Sequence, residues 1–360
     1  MRIAQVAPLF ISVPPKLSGG TERVVSYLTE ELVAQGHEVT LFASGDSETS
    51  AKLVSVCPEA LWQAESYLDP RPHFNRMMEL VFEDVSRFDV IHFHTDSLQF
   101  PLLRSRPWPN VTTWHASLGY WQKSFFDEYN SPLISISDNQ RLPVLDANWL
   151  ATIYHGLPRD LYTFRKEPGD YLAFIGRASF EKRLDRAIRI AGRAKMKLKV
   201  AAQIYPADQH YKQDIGPALA EAREWVEFIG EVGGREKDEF LGNAHALLFP
   251  IDWPEPFGLV MIESLACGTP VIAWRNGSVP EVIDNGRTGF IVASIDEAAE
   301  AVTRVSGLNR ETCRQVFEER FDAARMAREY VEVYRRLALP QKSGITLGPG
   351  SSMTRSKHIF

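Results

Sequence analysis

An α/β protein of two domains, each built on a parallel sheet, is what this sequence predicts, and three observations carry that expectation. Short apolar runs alternate with amphipathic stretches along the chain, the pattern of parallel strands joined by crossover helices rather than of a β sandwich. At 360 residues the chain favours two domains over one, and a hydrophobic content of 44% is ample for two cores. Pro158 and Pro168 interrupt regular structure, which puts the boundary within 156–170 and the domains at 1–158 and 159–320.

The first strand is expected over residues 1–7, followed by a loop with Pro14, Pro15, Gly19 and Gly20. A helix over 21–35 would turn Val24, Val25, Leu28 and Leu32 inward and stop at Gly36. The next strand spans 38–43. No Gly-x-Gly-x-x-Gly follows the first strand, which weighs against a nicotinamide or flavin enzyme. Gly19 and Gly20 at a helix start still offer backbone N–H groups to a phosphate.

Residues 170–175 form a short apolar strand that runs into Gly176-Arg177-Ala-Ser-Phe-Glu-Lys182, and a helix follows with Leu184, Ala187, Ile188 and Ile190 at helical spacing. Arg177 can fork onto phosphate oxygens and Lys182 adds a point charge. Two cations at a helix start conflict with the helix dipole unless something anionic binds there, which favours a functional reading over a pair of solvated charges.

The most informative stretch is Glu255-Pro-Phe-Gly-Leu-Val-Met-Ile-Glu263, after an apolar run at 244–251 that reads as a buried strand. A helix starting near Phe257 would aim the N–H groups of Gly258 and Leu259 into the crevice at the strand's carboxyl end. Carboxylates beside a diphosphate are favourable only where they accept hydrogen bonds from hydroxyls, so sugar hydroxyls are the natural partners: a transferred hexose for Glu255, a ribose for Glu263. Alone, this motif is as well explained by a helix-capping acid and a surface acid.

Taken in order, these elements resemble the family-four retaining glycosyltransferases over residues 1–337. The match continues through Ser264-Leu-Ala-Cys-Gly-Thr-Pro-Val-Ile-Ala273 and Gly277-Ser-Val-Pro-Glu281. The resemblance implies a GT-B fold, two Rossmann-like domains facing each other across a cleft, with the last helix, 321–337, crossing back to the first domain. It implies that Arg177 and Lys182 hold the donor diphosphate, Glu263 the ribose and Glu255 the transferred sugar. The Gly258 and Leu259 amides would face the sugar-phosphate, and Gly20 would close the pocket from the other domain. His115 corresponds to the family's histidine near the reacting sugar carbon. The family's Asn-Gly at the end of the first domain reads His155-Gly156 here.

The implied reaction is hexosyl, in particular glucosyl, transfer from a nucleotide diphosphate sugar, with UDP the expected carrier. Alternatives of the same fold are a nucleotide-sugar hydrolase or epimerase; from another class, a sensor without turnover. Similar bacterial chains labelled as glucosyltransferases acting on tetrahydrobiopterin offer one acceptor.

His92 and His94 share one face of a strand with Asp96 just beyond, but a metal there lacks a visible fourth ligand, so no metal and no cofactor are expected. Tyr120, Trp121, Phe125, Phe126 and Tyr129 could form an acceptor platform, although the i, i+4 spacing of Trp121, Phe125 and Tyr129 favours a core helix. Residues 1–160 hold 12 Lys and Arg against 19 Asp and Glu, while the remainder holds 28 against 27. An acidic acceptor side disfavours nucleic acid and anionic lipid and favours a soluble acceptor. Cys57, Cys267 and Cys313 have no disulfide or metal spacing, no run of membrane-spanning length is present and no charged-then-apolar leader precedes the first strand, so a cytoplasmic location is expected. The 341–360 tail is expected to be disordered.

Overall fold

The computed structural model describes residues 1–63, 69–104, 108–202, 209 and 211–338. The tail expected at 341–360 lies outside them. Two parallel sheets organise the chain. The first contains β1 (Arg2–Val6), β2 (Glu38–Ala43), β3 (Lys52–Ser55), β4 (Val90–Phe93), β5 (Asn110–Thr113), β6 (Leu133–Ser135) and β7 (Trp149–Thr152). Its spatial order is β3-β2-β1-β4-β5-β6-β7. The second contains β8 (Tyr171–Ile175), β9 (Lys197–Ala201), β10 (Val226–Phe228), β11 (Ala246–Phe249), β12 (Val271–Trp274) and β13 (Gly289–Val292), in the order β10-β9-β8-β11-β12-β13.

Both orders reverse once, between β1 and β4 and between β8 and β11. A crevice opens outside the carboxyl ends of the strands at each reversal, which is where open α/β sheets bind ligands. The central strands are buried on both faces, as in β4 and β11, because helices cover the two sides. The arrangement is the GT-B fold.

Helix Gly20–Ala34 lays Val24, Leu28 and Leu32 on the first sheet. Sharing that core is the last helix, Ala323–Ala338, which follows the second sheet in sequence but packs Met326, Ala327, Tyr330, Val331 and Tyr334 against Ile3, Val90 and Val111. Among the described residues the chain therefore passes between the two halves at two points. They lie side by side: Leu157 N–H donates to Phe321 O and Ala323 N–H to Leu157 O, each at 2.9 Å. A Cβ at Gly156 would stand 2.6 Å from Asp322 O, so only glycine permits this approach.

Helix starts differ slightly from expectation. The helix after β1 begins at Gly20 rather than Thr21, and the one after β11 at Leu259 rather than Phe257, because Gly258 takes a left-handed φ of 79°. Trp121 is the larger departure: the helix runs over Lys123–Tyr129, and Trp121 sits in the preceding tight turn, 79% exposed with Tyr120. Phe125, Phe126 and Tyr129 pack into the core around Phe100 and Trp114, so the segment is part core and part exposed aromatic surface.

Candidate active site

The eight residues singled out in the sequence meet in one cleft between the sheets. Gly20, His115, Arg177, Lys182, Glu255, Gly258 and Leu259 line a space of about 980 Å³. Glu263 lines an adjoining recess together with Gly20, Lys182, Glu255, Gly258 and Leu259. Gly20 comes from the first half and Leu259 from the second, and a Cβ at Gly20 would stand 3.8 Å from Leu259 Cδ1.

The loops after β8 and β11 are fastened to each other before they present their charges. Arg183, at a left-handed φ of 55°, pairs with Asp185 and with Asp252 (2.8 and 2.9 Å), and Arg186 adds a second bond to Asp252 at 2.9 Å. This bracing sets Lys182 against Glu255, with Nζ 2.5 Å from Oε2. Trp253 Nε1 donates to the same oxygen at 2.6 Å, and the lysine ammonium lies over the Trp253 and Phe249 rings. Gly277 and Ser278 brace the same segment: a Cβ at Gly277 would strike Glu255 N and O, while Ser278 Oγ donates to Phe257 O at 2.7 Å.

Glu263 is almost wholly enclosed and is matched by Lys237, whose Nζ lies 2.5 Å from Oε2. Lys237 also lines the cleft. Sequence reasoning missed it, because Gly-Arg-Glu-Lys-Asp-Glu reads as a solvated helix face. It also missed Arg23, which lines the recess beside Glu263 and Lys237 from the first half. Arg177, by contrast, is 77% exposed and pairs with Glu181 at 3.0 Å, so it stands at the rim of the cleft. At the head of helix Leu259–Ala266, the N–H groups of Leu259 and Val260 open on the recess that Lys182 and Lys237 share.

The histidines form the far wall. His115 and His155 line the cleft with their rings stacked at 5.4 Å, and His155 lies edge-on to Phe257 across the cleft. His115 Nε2 meets His94 Nδ1 at 2.8 Å. Burial pushes the His115 imidazole down to about 3 and holds His92, His94 and His155 well below their ordinary range, so all four are neutral near pH 7. His92 has both ring nitrogens engaged, by Tyr334 and Thr113, and His94 by His115 and Gln5. Among the described residues no group of three His, Cys, Asp or Glu side chains could hold a metal ion. The three cysteines are buried and free, and no helix among the described residues is long and apolar enough to cross a membrane.

Comparison with known proteins points the same way. A family model described as Glycosyltransferase Family 4 matches residues 18–141, and one described as Glycosyl transferases group 1 matches residues 163–320. The chain is 24% identical to the phosphatidyl-myo-inositol mannosyltransferase of Mycobacterium leprae, across 94% of this chain and 97% of that one. Among solved structures it is similar to AviGT4, a glycosyltransferase involved in avilamycin A biosynthesis, with 25% identity and a TM-score of 0.74 over 94% of this chain and 98% of that one. It shares its fold with HepE of Anabaena, solved with UDP-glucose, at 17% identity and a TM-score of 0.69 over 93% and 100% of the two chains.

Proposed function

Because this chain belongs to the group 1 and family 4 glycosyltransferases, we propose that it moves a hexosyl group, specifically glucosyl, from a UDP-linked donor to a soluble hydroxyl acceptor with retention of configuration. The observation that carries this reading is the pair of lysine-held carboxylates on either side of one helix N-terminus. Glu255 with Lys182 and Glu263 with Lys237 place a hydroxyl acceptor and a cation at each end of the helix's first turns. A nucleotide sugar has that pattern, hydroxyls at both ends and a diphosphate between. HepE, which shares the fold, is known with UDP-glucose, and that supports the choice of donor class.

In the proposed reaction the sugar C1–O bond to phosphate breaks with its electron pair going to the phosphate. The acceptor oxygen bonds to C1 from the same face, and its proton passes to the departing phosphate oxygen. Lys182, Arg177 and the Leu259 and Val260 amides stabilise the charge that develops there, and no metal is required. Neutral His115 is no proton donor to the leaving group; it orients a hydroxyl. The acceptor approaches from the first half, past Trp62, Ile11 and Ser117, which line the same cleft.

The M. leprae relative is named for a phosphatidylinositol substrate. Here Lys123, the lone cation of segment 118–130, is paired with Asp127 and Asp146, which supports a soluble acceptor over anionic lipid.

The test is a panel of UDP-, GDP- and ADP-sugars, followed by thermal shift and nucleotide release, first alone and then with hydroxyl acceptors including tetrahydrobiopterin. One donor that stabilises the protein and turns over only with an acceptor supports the reading. Rapid release without an acceptor favours a hydrolase or epimerase, and binding without turnover under every condition favours a sensor.

A further inference from the structure

A line of buried polar side chains runs from the last helix to the cleft. Gln5 Nε2 donates to Tyr334 OH at 3.2 Å, and Gln5 Oε1 meets His94 Nε2 at 2.8 Å. His94 Nδ1 in turn meets His115 Nε2 at 2.8 Å. On its other side Tyr334 OH meets His92 Nδ1 at 2.7 Å. His92 Nε2 reaches Thr113 Oγ1 at 2.7 Å, and that hydroxyl touches Tyr330 OH at 2.9 Å. Gln5, His92, Thr113, Tyr330 and Tyr334 are wholly buried and His94 nearly so.

Starting from the Gln5 amide, whose Nε2 faces Tyr334, counting protons gives this line a direction. An amide oxygen only accepts, so His94 Nε2 carries the hydrogen that points at Gln5. His94 is neutral, so its Nδ1 is a lone pair, and the hydrogen between the two rings belongs to His115 Nε2. His115 is neutral as well, which leaves its Nδ1 as an acceptor on the ring that lines the cleft. Turning the Gln5 amide over would reverse every step and put a hydrogen on His115 Nδ1 instead. Tyr334 opposes that reversal in the arrangement seen, where Gln5 Nε2 donates to its hydroxyl at 3.2 Å and the hydroxyl hydrogen can go to His92 Nδ1 at 2.7 Å.

We propose that Tyr334 is a positioning residue which, through Gln5 and His94, fixes the tautomer of His115 so that the ring offers the ligand hydroxyl an acceptor rather than a donor. The identity of that hydroxyl rests on the glycosyl-transfer reading; the tautomer does not. The last helix thus specifies how the cleft reads a hydroxyl.

The experiment is ¹⁵N spectroscopy of the full chain with labelled histidine, which separates protonated from bare ring nitrogens, His115 being assigned from the spectrum of His115→Asn. His94 and His115 are both expected as the Nε2–H form in the unliganded protein. Tyr334→Phe and, independently, Gln5→Met are expected to give a mixture of His115 tautomers. With them kcat should fall about tenfold or more while the donor KM stays within about twofold. A wild-type His115 protonated on Nδ1 overturns the proposal. So does a tautomer unchanged in both variants, even with reduced kcat, because that outcome makes Tyr334 a packing residue. Should Tyr334→Phe not fold, the wild-type spectrum and Gln5→Met still decide. If the protein transfers no sugar, the spectrum reads the same, so the two conclusions fail separately.

Discussion

Lys182 Nζ lies 2.5 Å from Glu255 Oε2, so the cation expected on a diphosphate and the carboxylate expected on a sugar are each other's counter-ion before any ligand arrives. The pair is mostly enclosed, which makes both members costly to strand. An incoming diphosphate can draw on Lys182 only if something replaces it at Glu255. In the proposed reaction, hydroxyls of the attached sugar would supply that replacement. On the proposed reading, a sugar-bearing nucleotide would then be favoured over free nucleotide.

Removing the ammonium tests this directly. Lys182→Ala is expected to lower kcat by about a hundredfold to a thousandfold, on the order of 3 to 4 kcal/mol of transition-state stabilisation, with the far-UV circular dichroism unchanged. Turnover near the wild-type rate would remove Lys182 from the reaction.

Glu263 and Lys237 predict a stability effect. Lys237→Met leaves a carboxylate that is 2% exposed without its partner and is expected to destabilise the fold by about 3 kcal/mol in urea unfolding. Adding Glu263→Gln should recover most of that loss while nucleotide affinity stays impaired. Equal destabilisation of single and double variants would show that the two residues do not act as a pair.

The four neutral histidines make stability fall in mild acid. Their folded-state values are depressed, to about 3 for His115, whereas in the unfolded chain they titrate near pH 6.5. Their contribution is complete above pH 6.5 and is lost as pH drops below it, because the unfolded chain takes up protons that the folded one refuses. The expected slope is about 1.4 kcal/mol per pH unit per histidine. Proton uptake on unfolding at pH 5, obtained from calorimetry in buffers of different ionisation enthalpy, should approach four from these residues. Uptake near zero would mean that they are charged in the fold.

Chelation should be without effect. We expect EDTA to leave kcat within about twofold, since in the proposed reaction charge on the leaving phosphate is met by Lys182, Arg177 and helix amides. A loss restored by a divalent ion would require a ligand set other than His92 and His94, whose nitrogens are already committed.

Gly156→Ala carries its own expectation. The added methyl would sit 2.6 Å from Asp322 O, a backbone atom held by its neighbours, and should cost about 1 to 3 kcal/mol. A variant as stable as the wild type would show that the two crossing segments separate freely.

Much of this molecule was legible in its sequence. The alternation of apolar runs and amphipathic stretches foretold both sheets, and the residues picked out at 176–182 and 255–263 converge on one cleft. What stayed hidden depends on side chains that meet only in three dimensions. Lys237 looks like any cation on a polar helix until the fold turns it to Glu263. Tyr330 and Tyr334 have the i, i+4 spacing of an amphipathic core face, and nothing local announces that their hydroxyls reach Thr113, His92 and Gln5. Trp121 shows the opposite failure, where a spacing that promised burial is cancelled by a tight turn at Tyr120–Gln122.

The side-by-side crossings at Leu157 and Phe321–Ala323 have a mechanical meaning. Two tethers far apart would let the halves shear or twist independently, but two tethers hydrogen-bonded together behave as one pivot. Translation of one sheet past the other would tear both bonds, whereas a swing about that line would keep them. A swing returns each surface to the same counterpart at every closure. A swing about that line would bring Gly20 back to Leu259, so the alignment of the two halves would be set by the pivot itself.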